Sequence, residues 1–103
     1  MDIEKVKKEL KEKLRKGSFE FKERGISLIE PQITGFESDL QVVYMNPTSE
    51  EYDNYSFSGN AQLKRLLAGN PFTDCKSFSG TAKITEYNKS EIIIEITKTI
   101  TIR

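Results

Sequence analysis

Few side chains in this sequence could do chemistry. There is no histidine and a single cysteine, Cys75. Imidazole is the side chain whose ordinary pKa lies near neutrality. Its absence removes the Ser-His-Asp and Cys-His nucleophile systems in their usual form, and with them the HExxH zinc site. One thiol builds neither an intrachain disulfide nor a Cys-rich zinc cage, and without a neighbouring imidazole to activate it Cys75 reads as structural. Carboxylates, lysines, tyrosines and serines remain. The densest acidic group is Glu50, Glu51 and Asp53. Its spacing is not that of an EF-hand loop, which needs acceptors at alternate positions and a glycine at the sixth. No metal and no cofactor is expected. The phosphate-cradling patterns GxxxxGK(S/T) and GxGxxG do not occur. An enzyme built from this inventory would rest on carboxylate or tyrosine acid–base pairs with strongly shifted pKa values.

The acidic group has a second property: it is interleaved with aromatics. Lys plus Arg and Asp plus Glu both number 16, so the net charge is zero, but the charges are segregated along the chain. Residues 1–17 carry seven basic and four acidic side chains, residues 18–60 two basic and eight acidic, and residues 61–103 seven basic and four acidic. The acidic middle also holds Tyr44, Tyr52, Tyr55 and Phe57. Tyrosine buries area while keeping a polar tip and is enriched at interface hot spots, and a local field steers partners even when the sum of charge is zero. Glu50, Glu51, Tyr52, Asp53, Tyr55 and Phe57 are therefore the candidate partner-binding residues. The alternative is that the tyrosines edge the core while the acids solubilise a turn. A basic stripe, Lys7, Lys8, Lys11, Arg15 and Lys16, is interrupted by Glu9 and Glu12; with no net positive charge, this argues against nucleic acid as the partner.

The elements that must position these residues are legible from periodicity. Ile3, Val6, Leu10 and Leu14 recur at helical steps over residues 2–16, with Asp2 as N-cap, Gly17 as a left-handed C-cap, and basic residues in the last turn. Its narrow apolar stripe suits a helix laid across a sheet. Residues 18–34 read as a hairpin turning at Arg24-Gly25, and Pro31 implies an edge or a bulge. Leu40 to Met45 is a third strand and 51–58 a fourth. Residues 60–68 read as a second short helix, with Asn60 as cap, Leu63, Leu66 and Leu67 on one face, and Gly69 and Pro71 as the stop. The C-terminal hairpin is the strongest β signal. Phe78, Gly80, Ala82 and Ile84 share one face of strand 76–87, then Ile92, Ile94, Ile96, Ile100 and Ile102 face the core while odd positions face water, with Ile93 and Lys98 as the exceptions. Small residues at Gly80 and Ala82 would leave room for the N-terminal helix.

The expected fold is a single α+β domain over residues 1–103: an N-terminal helix packed on an antiparallel curved sheet of 4–6 strands, with a second short helix near 60–68. No apolar stretch approaches a membrane span. The N-terminus opens a charged helix where a signal peptide needs an apolar run, so a reducing, cytoplasmic setting is expected. The function expected is a non-catalytic binding module working by protein–protein contact, of the accessory, inhibitor or immunity type, with segment 50–57 and a neighbouring strand edge as its surface. A small-ligand carrier with a pocket between helix and sheet is the alternative, and a carboxylate or tyrosine enzyme the remaining one. The C-terminal strand is expected at a sheet edge, where it could pair with its own copy.

Overall fold

The computed structural model describes residues 3–17, 19–45, 53–88, 91–96 and 99–103. Its spine is a hairpin of two long strands, β5 (Asp53–Leu67) and β6 (Asn70–Asn88), paired without interruption from Asp53↔Ile84 to Leu67↔Asn70. Ala68 (φ 52°) and Gly69 (φ 81°) make the turn. Two successive positive φ angles give the turn whose twist matches that of the flanking strands. Along the outer side of β5 run β3 (Ile29–Phe36) and then β4 (Gln41–Met45); along the outer side of β6 run β7 (Glu91–Ile96) and then β8 (Thr99–Ile102). A short hairpin, β1 (Glu20–Glu23) and β2 (Ile26–Ser27), turns at Arg24 (φ 53°) and Gly25 (φ 78°) and extends the sheet beyond β8.

The expected α+β class holds, with one helix on a curved sheet. The sheet is larger than expected, with eight strands among the described residues, and it is mixed, because β1 lies parallel to β8. That parallel contact forms because the chain reaches β1 from the helix instead of from a neighbouring strand. No second helix is present among the described residues: Asn60 to Leu67 belongs to β5. The leucine spacing that suggests a helix is also half of a strand alternation. Ala61, Leu63 and Arg65 face inward and are buried, while Gln62 and Lys64 face out. Arg65, a charged residue on the inner face, breaks the apolar pattern that would otherwise identify the strand. The C-terminal strand is not an edge; β8 is flanked by β1 and β6.

Helix α1 (Ile3–Lys16) lies against β3 on one margin of the sheet and β7 on the other, so it spans the mouth of the half-barrel. Val6, Leu10 and Leu14 are buried in the same cluster as Phe21, Ile33, Leu40, Phe57, Leu63, Phe78 and the alternating isoleucines of β7 and β8. Gly17 is not left-handed. It continues the helix with an N–H bond to Lys13 O (2.8 Å), and a Cβ there would run into the Phe19 ring, so glycine is needed for space. The room over Gly80 is likewise taken by an aromatic ring and not by the helix: a Cβ at Gly80 would lie 2.6 Å from Phe57 Cζ, its cross-strand partner.

The two ends of the sheet differ. At one end a single residue, Leu28, separates β2 on one margin from β3 on the other; its N–H bonds to Phe21 O (2.9 Å) while Ile29 pairs with Leu66. The margins meet there and the sheet curls shut. At the other end β4 and β7 lie on opposite margins, each paired with one strand among the described residues. No described helix is long and apolar enough to cross a membrane.

Candidate partner-binding site

The structure divides the six sequence-predicted residues. Glu50, Glu51 and Tyr52 lie outside the described residues. Asp53 opens β5 opposite Ile84. Tyr55 (7% exposed) and Phe57 (2% exposed) face inward and belong to the core, so neither offers its ring to a partner. Their inward direction follows from register: both sit on the face of β5 shared with Ala61 and Leu63, opposite Ala82 and Gly80 of β6.

The neighbouring strand edge is where apolar surface is found. In β4, Val43 is 59% exposed, Tyr44 50% and Met45 41%. Val42 and Tyr44 pair with Phe57 and Tyr55 on the inner face, and the Tyr44 ring meets the Tyr55 ring edge-on at 5.4 Å between centroids. Val43 pairs with Ser56 on the convex face. The strand carries no charge, and its outer backbone groups have no strand partner among the described residues. The signal that could have found this surface was present: an uncharged run, Leu40 to Met45, that follows the break at 37–39.

That break fixes β4. β3 and β4 follow β5 in one direction, interrupted at 37–40, where Glu37 N–H bonds to Asn60 O (2.9 Å) and Leu40 turns fully into the core. Asp39 is held from the helix by Lys7 Nζ (3.1 Å) and Lys11 Nζ (3.3 Å). These hydrogen bonds keep the Asp39 carboxyl below its ordinary value, and the bond to Asp39 raises Lys7.

At the closed end the inner face holds four charged groups. Arg65 Nη2 donates to Asp74 Oδ2 (3.4 Å) and Nη1 lies 3.8 Å from Glu23 Oε1, while Lys76 Nζ is 3.0 Å from Glu23 Oε2 and 3.7 Å from Asp74 Oδ2. Arg65 is 6% exposed, and its Nε and Nη1 and Asp74 Oδ1 are buried without a hydrogen bond. The Lys76 hydrogen bond holds Glu23 below the ordinary glutamate value. The quartet balances its own charge and ties β1 to β5 and β6 across the interior. The Arg65 guanidinium also lies 5.9 Å from the Phe72 ring.

Other concave regions are shallow or internally satisfied. A groove of about 430 Å³ at the bend is lined by Ser38, Asn60, Ser77 and Arg103, among others. Ser77 Oγ donates to Asn60 Oδ1 (2.6 Å) and Asn60 Nδ2 to Ser38 Oγ (3.3 Å), so these polar groups satisfy one another. The space between helix and sheet is occupied by core side chains, with open grooves on either flank of α1. Among the described residues, no group of three or more His, Cys, Asp or Glu is placed to hold a metal ion. Cys75 is exposed on β6. No protein-family model, curated protein or solved structure matches the chain.

Proposed function

We propose that the chain is a non-catalytic binding module, of the accessory, inhibitor or immunity type, that acts in the cytoplasm by protein–protein contact. The observation that carries this reading is the uncharged, apolar margin strand β4, whose backbone faces outward beside exposed Val43, Tyr44 and Met45. A strand margin of this kind supplies main-chain hydrogen bonds to an added strand, and its alternate side chains supply selectivity. The acidic segment that follows, with Glu50 and Glu51, adds a local field that makes association depend on salt.

The test is co-purification from the cell of origin, followed by titration of the purified partner against Val43→Lys, Tyr44→Ala and Glu51→Lys variants. Val43→Lys is expected to weaken binding about tenfold or more, and Glu51→Lys to act mainly on the association rate and its salt dependence. A partner bound with unchanged affinity by all three variants rules this surface out.

A further inference from the structure

An exposed sheet margin templates the addition of another strand, and folded proteins blunt such margins with proline, bulges, charge or brevity. Among the described residues, β2, β3 and β7 carry such devices. β2 is two residues long. β3 carries Pro31, a positive φ at Glu30, and register shifts between Ile29 and Gln32 and between Ile33 and Gly35. β7 carries Glu91 and Glu95 and runs beside α1. β4 has none of these: Gln41, Val42, Val43, Tyr44 and Met45 form an unbroken five-residue ladder with β5 and hold no charge and no proline.

We propose that β4 pairs with β4 of a second copy of this chain, antiparallel and centred on Val43, so that two sheets join across a two-fold axis. The inference rests on the reading of β4 as the contact strand and names its occupant. Its basis is self-complementarity. Pairing about Val43 sets Val42 against the other copy's Tyr44 on the inner face, a β-branched residue against an aromatic one, which is a favourable cross-strand combination. It sets Gln41 against Met45 on the convex face and Val43 against its own copy. No like charges meet among these five residues, and the half of Tyr44 left open by Tyr55 is covered. A two-fold contact closes on itself and leaves no further free β4 edge, so association stops at two. Five residues a side fall short of the roughly 1,200 Å² that stable interfaces bury, so the pair dissociates on dilution.

Sedimentation velocity over roughly 1 μM to 1 mM reads the outcome. The wild-type chain is expected to pass from its 11.8 kDa monomer mass to twice that value. Val43→Lys, which sets two like charges face to face at an exposed position, is expected to raise the midpoint concentration about tenfold or more. In a Cys75→Ser background, Val43→Cys is expected to form a disulfide between copies on mild oxidation, because directly opposed residues have the Cβ spacing a disulfide needs; Tyr44→Cys, offset by two residues from its counterpart, is expected not to. A wild type that stays monomeric throughout, a dimer that Val43→Lys leaves intact, or a cross-link at Tyr44→Cys in place of Val43→Cys overturns the proposal. A monomer that takes a different protein through Val43 overturns the second copy alone. A monomer whose protein partner is indifferent to all β4 variants overturns the contact reading as well.

Discussion

The closed and open ends of the sheet both expose apolar side chains among the described residues and differ in what their strand margins offer. At the closed end Ile26, Ile29, Leu67 and Phe72 are all well exposed, Ile26 at 71%. Yet the margins there run into each other through Leu28, and the interior is capped by the Arg65, Glu23, Asp74 and Lys76 quartet. At the open end β4 combines exposed apolar side chains with an unblocked ladder. Scattered exposed apolar residues are ordinary on protein surfaces, and what sets β4 apart from the margins β2, β3 and β7 is that its apolar side chains flank a ladder without proline, bulge or charge. One end has been closed by a charge network, and the other has kept its capacity to bond.

The largest effect that tests this contrast is Arg65→Ala. It removes a buried cation from between Glu23 and Asp74 and leaves both carboxylates to Lys76 alone. Removing one partner from a buried ionic cluster costs about 3 kcal/mol or more. Tyr44→Ala at the open end, which trims a half-exposed ring, should cost about 1 kcal/mol. Chemical denaturation of the two variants orders them. If Tyr44→Ala proves the more damaging, the open end is the structural one and the contrast fails.

Next in size is the bend between the ends. Gly80→Ala drives a methyl group to 2.6 Å from Phe57 Cζ, and Phe57 is buried and cannot swing clear. Overpacking of this kind costs about 1–3 kcal/mol. Gly35→Ala on β3, where nothing lies within 4 Å of the new Cβ, should be close to neutral. Thermal melting of the pair separates a glycine needed for a ring above it from one that is not.

How much of this was legible follows from which patterns were pure. The C-terminal alternation sets isoleucine at 92, 94, 96, 100 and 102, with Lys98 the exception in that series, and Ile94, Ile96, Ile100 and Ile102 are all buried as their spacing implies. Arg24-Gly25 and Pro31 likewise carry their geometry in their chemistry, as a positive-φ turn and an irregular margin. The stretch 60–68 misleads because Arg65 is inward on the strand, and its partners are Asp74 across the hairpin and Glu23 from a strand distant in sequence. Tyr55 and Phe57 were legible as aromatics among acids, but which face of β5 they occupy depends on the register with β6. That register is set by the Ala68-Gly69 turn and by the space above Gly80. The margin position of β4 was not readable from periodicity, because the order of strands in a sheet is decided by pairing and not by local pattern.

The closed end also contributes to the acid limb of stability, alongside Asp39 at the bend. Glu23 is held below its ordinary 4.5 chiefly by the hydrogen bond from Lys76. A carboxyl depressed in the folded state contributes stability that is present above its unfolded value and lost as pH falls through the folded one. Stability should therefore decline below about pH 4.5, and Glu23→Gln should flatten that limb of a pH-dependent denaturation series while costing less at neutral pH than Arg65→Ala. An unchanged acid limb would mean that the quartet is not what holds the closed end against protonation.

The smallest change in stability carries the sharpest test of the contrast. Val43→Lys and Ile26→Lys each place a charge at a well-exposed apolar position, on opposite ends of the sheet, and each should alter folding free energy by no more than about 0.5 kcal/mol. Ile26 is the more exposed of the two, so if bare apolar area drove association, Ile26→Lys would suppress it more. If the strand margin drives it, only Val43→Lys does, because Ile26 sits on a two-residue strand that offers no ladder to extend. Sedimentation of the two variants at matched concentration decides between area and edge: suppression by Ile26→Lys would show that the β4 ladder is not the feature that matters, and suppression by Val43→Lys alone would show that backbone pairing, directed by a few uncharged side chains, is.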